Sequence, residues 1–151
     1  MDPVNAAIAY VAGQRVYRTS DSGTTWTAVP IVDPDPTHVI TALAVAPASR
    51  QILYAATACL PELALSFSCP SNSFIWRSQN SGQSWTQRAT VPGLVSRLAV
   101  DPRQANTVYA AMGAFAGGPS ASAGYAAGDL LAPPMGPRLL FRSAPTCLPF
   151  R

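Results

Sequence analysis

Short apolar runs, broken every few residues by Pro, Gly, Ser or Asn, organise this chain. In its central part the runs lie at about 39–46, 51–57, 74–79 and 85–89, and they are rich in Val, Ile, Leu, Tyr, Trp and Thr. Runs of this length and composition, bounded by turn residues, predict β-strands. No window carries the 3.6-residue periodicity of an amphipathic helix, and with 15 prolines in 151 residues long helices are disfavoured throughout.

The runs repeat. IAYVA (8–12), ILYAA (52–56) and TVYAA (107–111) share a tyrosine followed by small residues, and each tyrosine stands eight positions after the start of a proline pair: Asp2-Pro3 before Tyr10, Ala46-Pro47 before Tyr54, Asp101-Pro102 before Tyr109. A second shared segment, VYRTS (16–20), IWRSQ (75–79) and LFRSA (140–144), sets an aromatic before Arg18, Arg77 and Arg142. LAVAP (43–47) returns as LAVDP (98–102). A period of 55 to 65 residues with about four strands per unit falls near that of propeller blades. Agreement at one offset in three places argues against a β-sandwich with chance similarity.

Between the second and third strands of the first unit stands TSDSGTTW (19–26), and SQNSGQSW (78–85) is its counterpart. Asp21 suits a turn that needs an acceptor for free backbone N–H groups. Gly23 can take a positive φ without a Cβ clash. Thr19 and Thr25 offer hydroxyls, and Trp26 is expected to bury its ring beneath the turn. The second copy keeps this logic with Ser78, Asn80, Gly82, Ser84 and Trp85. Asn can replace Asp as a turn acceptor but not as a catalytic carboxylate, so the motif reads as scaffold.

The pattern S/T-x-D-x-G-x-T-W resembles the Asp-box, or BNR, repeat of sialidases, sortilin-type receptors, xyloglucan-degrading glycosidases and a plant photosystem assembly factor. The first copy matches throughout and the second departs at Asn80. The resemblance covers about 1–112 and implies a fold rather than an activity. It implies an all-β, partial β-propeller of about two to two-and-a-half four-stranded antiparallel blades, with the box as a peripheral hairpin turn. On this reading 1–112 form blades, 113–138 are a Gly/Ala/Pro-rich loop insert, and 139–151 begin a third, incomplete blade. After LFRS a third box would be expected, but Pro145 stands where Asp belongs and Cys147 where Gly belongs, as a truncation or frameshift would leave it.

Composition narrows the function. Only 11% of residues are charged, and all ten basic residues are arginines, which are scattered. The net charge of +3 is therefore not gathered into a nucleic-acid-binding patch. No stretch approaches the roughly 18 apolar residues of a membrane helix. No signal peptide is visible at the start, although the resemblance points to an extracytoplasmic or secreted protein. Cys59 and Cys69 bracket one insert and could close a small disulfide in an exported protein. Glu62, the single Glu, lies in that insert. Asp33, Asp35, Asp101 and Asp129 offer no convincing glycosidase pair. His38, the single His, reads as a loop or strand-edge residue. No catalytic, metal or cofactor set is expected.

The expected role is a non-catalytic binding or scaffold module, with a fragment of a sialidase-like or xyloglucanase-like hydrolase as the alternative and a photosystem-type assembly factor as the second. Expected partners are further blades or a second copy meeting open sheet edges, and a carbohydrate or protein ligand.

Overall fold

Every apolar run becomes a strand in the computed structural model, and among the described residues (2, 5–30, 33–59, 72–113 and 139–142) there is no helix. β1 (Ala9–Ala12), β2 (Val16–Thr19) and β3 (Thr27–Ala28) form one antiparallel sheet. β4 (His38–Val45), β5 (Leu53–Cys59), β6 (Asn72–Ser78) and β7 (Thr86–Pro92) form a four-stranded antiparallel meander. β8 (Leu94–Val100), β9 (Val108–Gly113) and β10 (Leu139–Arg142) form the third sheet.

The repeat visible in the sequence is a repeat of register. Tyr10 pairs with Arg18 across β1 and β2, and Tyr54 pairs with Arg77 across β5 and β6. The eight-residue offset before each tyrosine is a closed loop. Asp2 N–H donates to Ile8 C=O, Ala46 N–H to Ile52 C=O and Asp101 N–H to Thr107 C=O, each at 2.9 Å. Inside each loop a second bond of 2.9–3.0 Å (Ile8 N–H to Asn5, Ile52 N–H to Ser49, Thr107 N–H to Gln104) tightens the turn.

The third sheet departs from an all-antiparallel arrangement. The LFR segment does lie beside VYAA, but parallel to it, with Tyr109 opposite Leu140 rather than Arg142. A two-residue hairpin would force antiparallel pairing, whereas a parallel pair needs a connection of about a dozen residues or more, and the spacing between Gly113 and Leu139 meets that need. The segment 114–138, Glu62, Cys69, Asp129 and the end at 143–151, with Pro145 and Cys147, lie outside the described residues.

Two bulges also repeat. Register slips between Ile40 and Ala42 in β4 and between Val95 and Arg97 in β8 leave Thr41 and Ser96 unpaired at equivalent positions. The Thr41 hydroxyl donates to the carbonyl of Val95 at 2.7 Å, tying the second sheet to the third.

Two apolar layers hold the sheets together. Tyr54, Ala56, Ile75 and Val91 meet Val95, Val108 and Ala110 between the second and third sheets. Val16 and Ala55, with Tyr10, Leu43, Trp76 and Trp85 packed on them, join the first and second. β5 lies in both layers, and all seven of its residues are buried. A strand covered on both faces cannot show polar alternation and must be slim where sheets approach, which explains the run Ala-Ala-Thr-Ala. β7, at the sheet's edge, is mostly exposed and carries Thr86, Gln87, Arg88 and Thr90, and it ends in Pro92. Such residues blunt an open edge.

Candidate functional site

The two turns at 19–26 and 78–85 have the same geometry. In the first, the buried Thr19 hydroxyl accepts the N–H groups of Gly23 (3.0 Å) and Asp21 (3.3 Å) and donates to Asp21 Oδ1 (2.7 Å). Asp21 Oδ1 also accepts Thr25 N–H (2.9 Å), and Oδ2 accepts the Thr25 hydroxyl (2.6 Å). In the second, Ser78 Oγ accepts Gly82 N–H (2.9 Å) and Asn80 N–H (3.3 Å) and donates to Asn80 Oδ1 (2.9 Å). Asn80 Oδ1 accepts Ser84 N–H (2.8 Å), and Asn80 Nδ2 donates to Ser84 Oγ (2.8 Å). The carboxylate and the amide do the same work, with only the direction of the last hydroxyl bond reversed.

Both glycines sit at φ 90°, and the serine before each, Ser22 and Ser81, sits at φ 58°. A non-glycine in the left-handed region costs energy unless its surroundings impose it. Here Ser22 N–H donates to Ala7 C=O (3.0 Å) and Ser81 N–H to Gln51 C=O (2.9 Å), so each turn is pinned to the loop before the neighbouring tyrosine strand. Nothing in the residue pattern marks these serine conformations.

The tryptophans differ, and here the expectation for Trp26 is corrected. Its Nε1 donates to Gly23 C=O (3.1 Å), so the ring closes over the turn, yet it stays 43% exposed. Trp85 packs into the apolar layer between the first two sheets, and Val29 lies at the same turn, 3.5 Å from where a Cβ on Gly82 would stand. No such neighbour sits at Gly23, where only Trp26 comes within 4 Å.

The carboxyl of Asp21 is held at about 2, below its ordinary 3.8. The Thr25 hydroxyl and then the Thr25 N–H are the main causes, since both bond the charged form. Asp35 is likewise lowered, first by the Thr37 hydroxyl and then by the Thr37 N–H.

A second polar cluster lies at the start of β4. Asp33 Oδ2 accepts the Thr57 hydroxyl (2.6 Å) and lies 2.8 Å from His38 Nδ1, and Trp76 Nε1 donates to Thr57 Oγ1 (2.9 Å). The His38 side chain is 4% exposed and its ring lies 5.2 Å from Phe74. His38 Nε2 has no hydrogen-bond partner and points toward Asp35 Oδ2 at 3.7 Å. His38 opens β4, the outer strand of its sheet, as a strand-edge residue would, but its side chain is buried and acts as an anchor. It clamps the Pro-rich loop to β5 and β6 and is closed to any substrate. The sequence signal available for it was the spacing of Asp33 and His38 alone.

Arginines also act as clamps. Arg77 Nη2 donates to Asn106 Oδ1 (2.6 Å), and its guanidinium carbon lies 6.0 Å from the Tyr54 ring centroid, while the Tyr54 hydroxyl donates to Ala105 C=O (3.1 Å). Cys59, buried at the end of β5, is disulfide-bonded. An open groove of about 430 Å³ runs between Arg18, the 27–30 segment, Ser81 and Gln83, and among the described residues Arg18 is the only ionisable group lining it.

These sheets and turns define an all-β protein of propeller-blade type. Comparison with known proteins agrees: the chain resembles the crystal structure of an ancestral GH74 enzyme, with a TM-score of 0.52 and 20% identity over 73% of this chain. At that identity the likeness shows the fold, a β-propeller enzyme fold, and this chain spans only 15% of that enzyme's length. No family model matches the chain, and no curated protein was found similar to it.

Two outcomes follow from the turn geometry. Replacing Thr19 with Val should cost about 1–3 kcal/mol in chemical denaturation, because the Gly23 N–H loses its partner in a part-buried place. Thr19→Ser should cost about 1 kcal/mol or less, since Ser78 fills the same role. The second concerns pH. A carboxyl with a depressed folded-state pKa adds stability above its unfolded value, and that stability is lost as pH falls through the folded value. Thermal melts of wild type should therefore lose stability between pH 3.8 and about 2 more steeply than melts of Asp21→Asn, which keeps the turn without a titrating group.

Proposed function

We propose that this chain is a non-catalytic propeller module with a binding or scaffold role, and that its two turns are Asp-box hairpins. The observation that carries the reading is the use made of every described carboxylate. Asp2 accepts Asn5 N–H, Asp21 accepts Thr25 N–H, Asp33 accepts Asp35 N–H, Asp35 accepts Thr37 N–H, and Asp101 accepts the N–H groups of Arg103 and Gln104. All five cap their own turns. Glycoside hydrolysis needs two carboxyls facing one cleft, one to donate a proton and one to attack or activate water. Groups already engaged by local N–H donors are poor material for either role. The disulfide at Cys59 supports an oxidising, extracytoplasmic location. The ligand class this reading favours is a carbohydrate or a protein.

A second reading is a piece of a carbohydrate-active hydrolase. What favours it is the likeness to the ancestral GH74 enzyme, of whose length this chain spans 15%. An enzyme of that size has room for catalytic groups on other blades.

Incubation of the purified chain with a fluorogenic sialoside and with aryl β-glucosides separates the readings. Release at background, equal for wild type and Asp21→Asn, is expected. Turnover well above background that Asp21→Asn abolishes would refute the scaffold role.

A further inference from the structure

Among the described residues four large apolar side chains are exposed: Val11 (52%), Tyr17 (42%), Trp26 (43%) and Tyr109 (41%). The repeat assigns each of them a counterpart that a neighbouring sheet covers, fully at Ala55 and Tyr54 and in part at Trp76 and Trp85. Val11, Tyr17 and Trp26 correspond to Ala55, Trp76 and Trp85, the face of the second sheet that packs on the first. Tyr109 corresponds to Tyr54, which is buried by the third sheet and donates its hydroxyl to Ala105 C=O. The exposed residues thus belong to two complementary faces, one at each end of the stack. Each face has the composition of one side of a junction that this chain already forms twice internally.

We infer that a second copy of this chain covers these faces head to tail, with Tyr109 of one chain on the Val11–Tyr17–Trp26 face of the other. The first sheet supplies the loop that such a junction needs. The Asp2–Ile8 loop has the same two backbone bonds as the Asp101–Thr107 loop that receives Tyr54, and Ala6 stands where Ala105 does. Ala6 C=O is then the acceptor for the Tyr109 hydroxyl. In a two-fold dimer both junctions are the same contact. The three sheets formed by the described residues give six in a closed dimer, within the four to eight blades that propellers use, whereas three copies would give nine. The first sheet has no strand equivalent to β4, so Ser96 finds no counterpart of the Thr41–Val95 bond there, and the junction rests on the second and third strands.

Size-exclusion chromatography with light scattering at 5–100 µM tests this. Wild type should run at twice 15.8 kDa. Tyr109→Glu and Tyr17→Glu should each raise the dimer dissociation constant at least ten-fold while keeping the wild-type circular dichroism. Both residues are surface-exposed, and Val11→Asp serves as a replacement if either variant misfolds. An equimolar mixture of Tyr109→Glu and Tyr17→Glu should dimerise again, because one junction in the mixed pair is wholly native. A wild-type monomer, as expected if further blades of a longer polypeptide normally cover these faces, overturns the inference. So does a dimer indifferent to the substitutions, a mixture that stays monomeric, or association without a defined size.

Discussion

A β-sheet with apolar side chains on both faces needs a neighbouring sheet on each side, and that requirement organises everything else here. β5 is the clearest case: all seven of its residues are buried, four of them alanine or threonine, because the first sheet presses on one face and the third on the other. Three of the polar bonds that cross the junction between the second and third sheets run in one direction. Thr41 reaches Val95, Tyr54 reaches Ala105 and Arg77 reaches Asn106, each from the second sheet to a backbone or side-chain oxygen of the third. Apolar burial supplies most of the free energy, and these bonds fix how one sheet is rotated on the next.

The turns answer a different constraint. A tight connection between two strands leaves backbone N–H groups facing inward, and each must find an acceptor. Asp21 and Asn80 solve it identically, so ionisation is incidental to the turn and its low pKa is a consequence of the bonds rather than a sign of reactivity. Perturbed pKa values often mark active sites, but ion-pair and capping networks perturb them as well. Here the perturbing groups are the turn's own hydroxyl and amide.

Much of this was legible in the sequence, and for specific reasons. Strand positions followed from β-branched and aromatic runs between turn residues, and the eight-residue offset before each tyrosine turned out to be a doubly bonded loop. What escaped were features that depend on contacts distant along the chain. The bulges at Thr41 and Ser96 follow from register, the burial of His38 depends on Thr57 and Phe74, and the exposure of Trp26 reflects a neighbour that only Trp85 has. The parallel course of β10 is not legible in the sequence because its antiparallel counterparts, β2 and β6, carry the same aromatic-Arg segment.

The claim beneath all of this is that β5 is sandwiched between two sheets while β7 is an outer edge. Amide hydrogen exchange on the folded chain measures it directly. The account predicts that the amides of 53–59 exchange most slowly of all and those of 86–92 far faster. Comparable exchange in the two segments would contradict it.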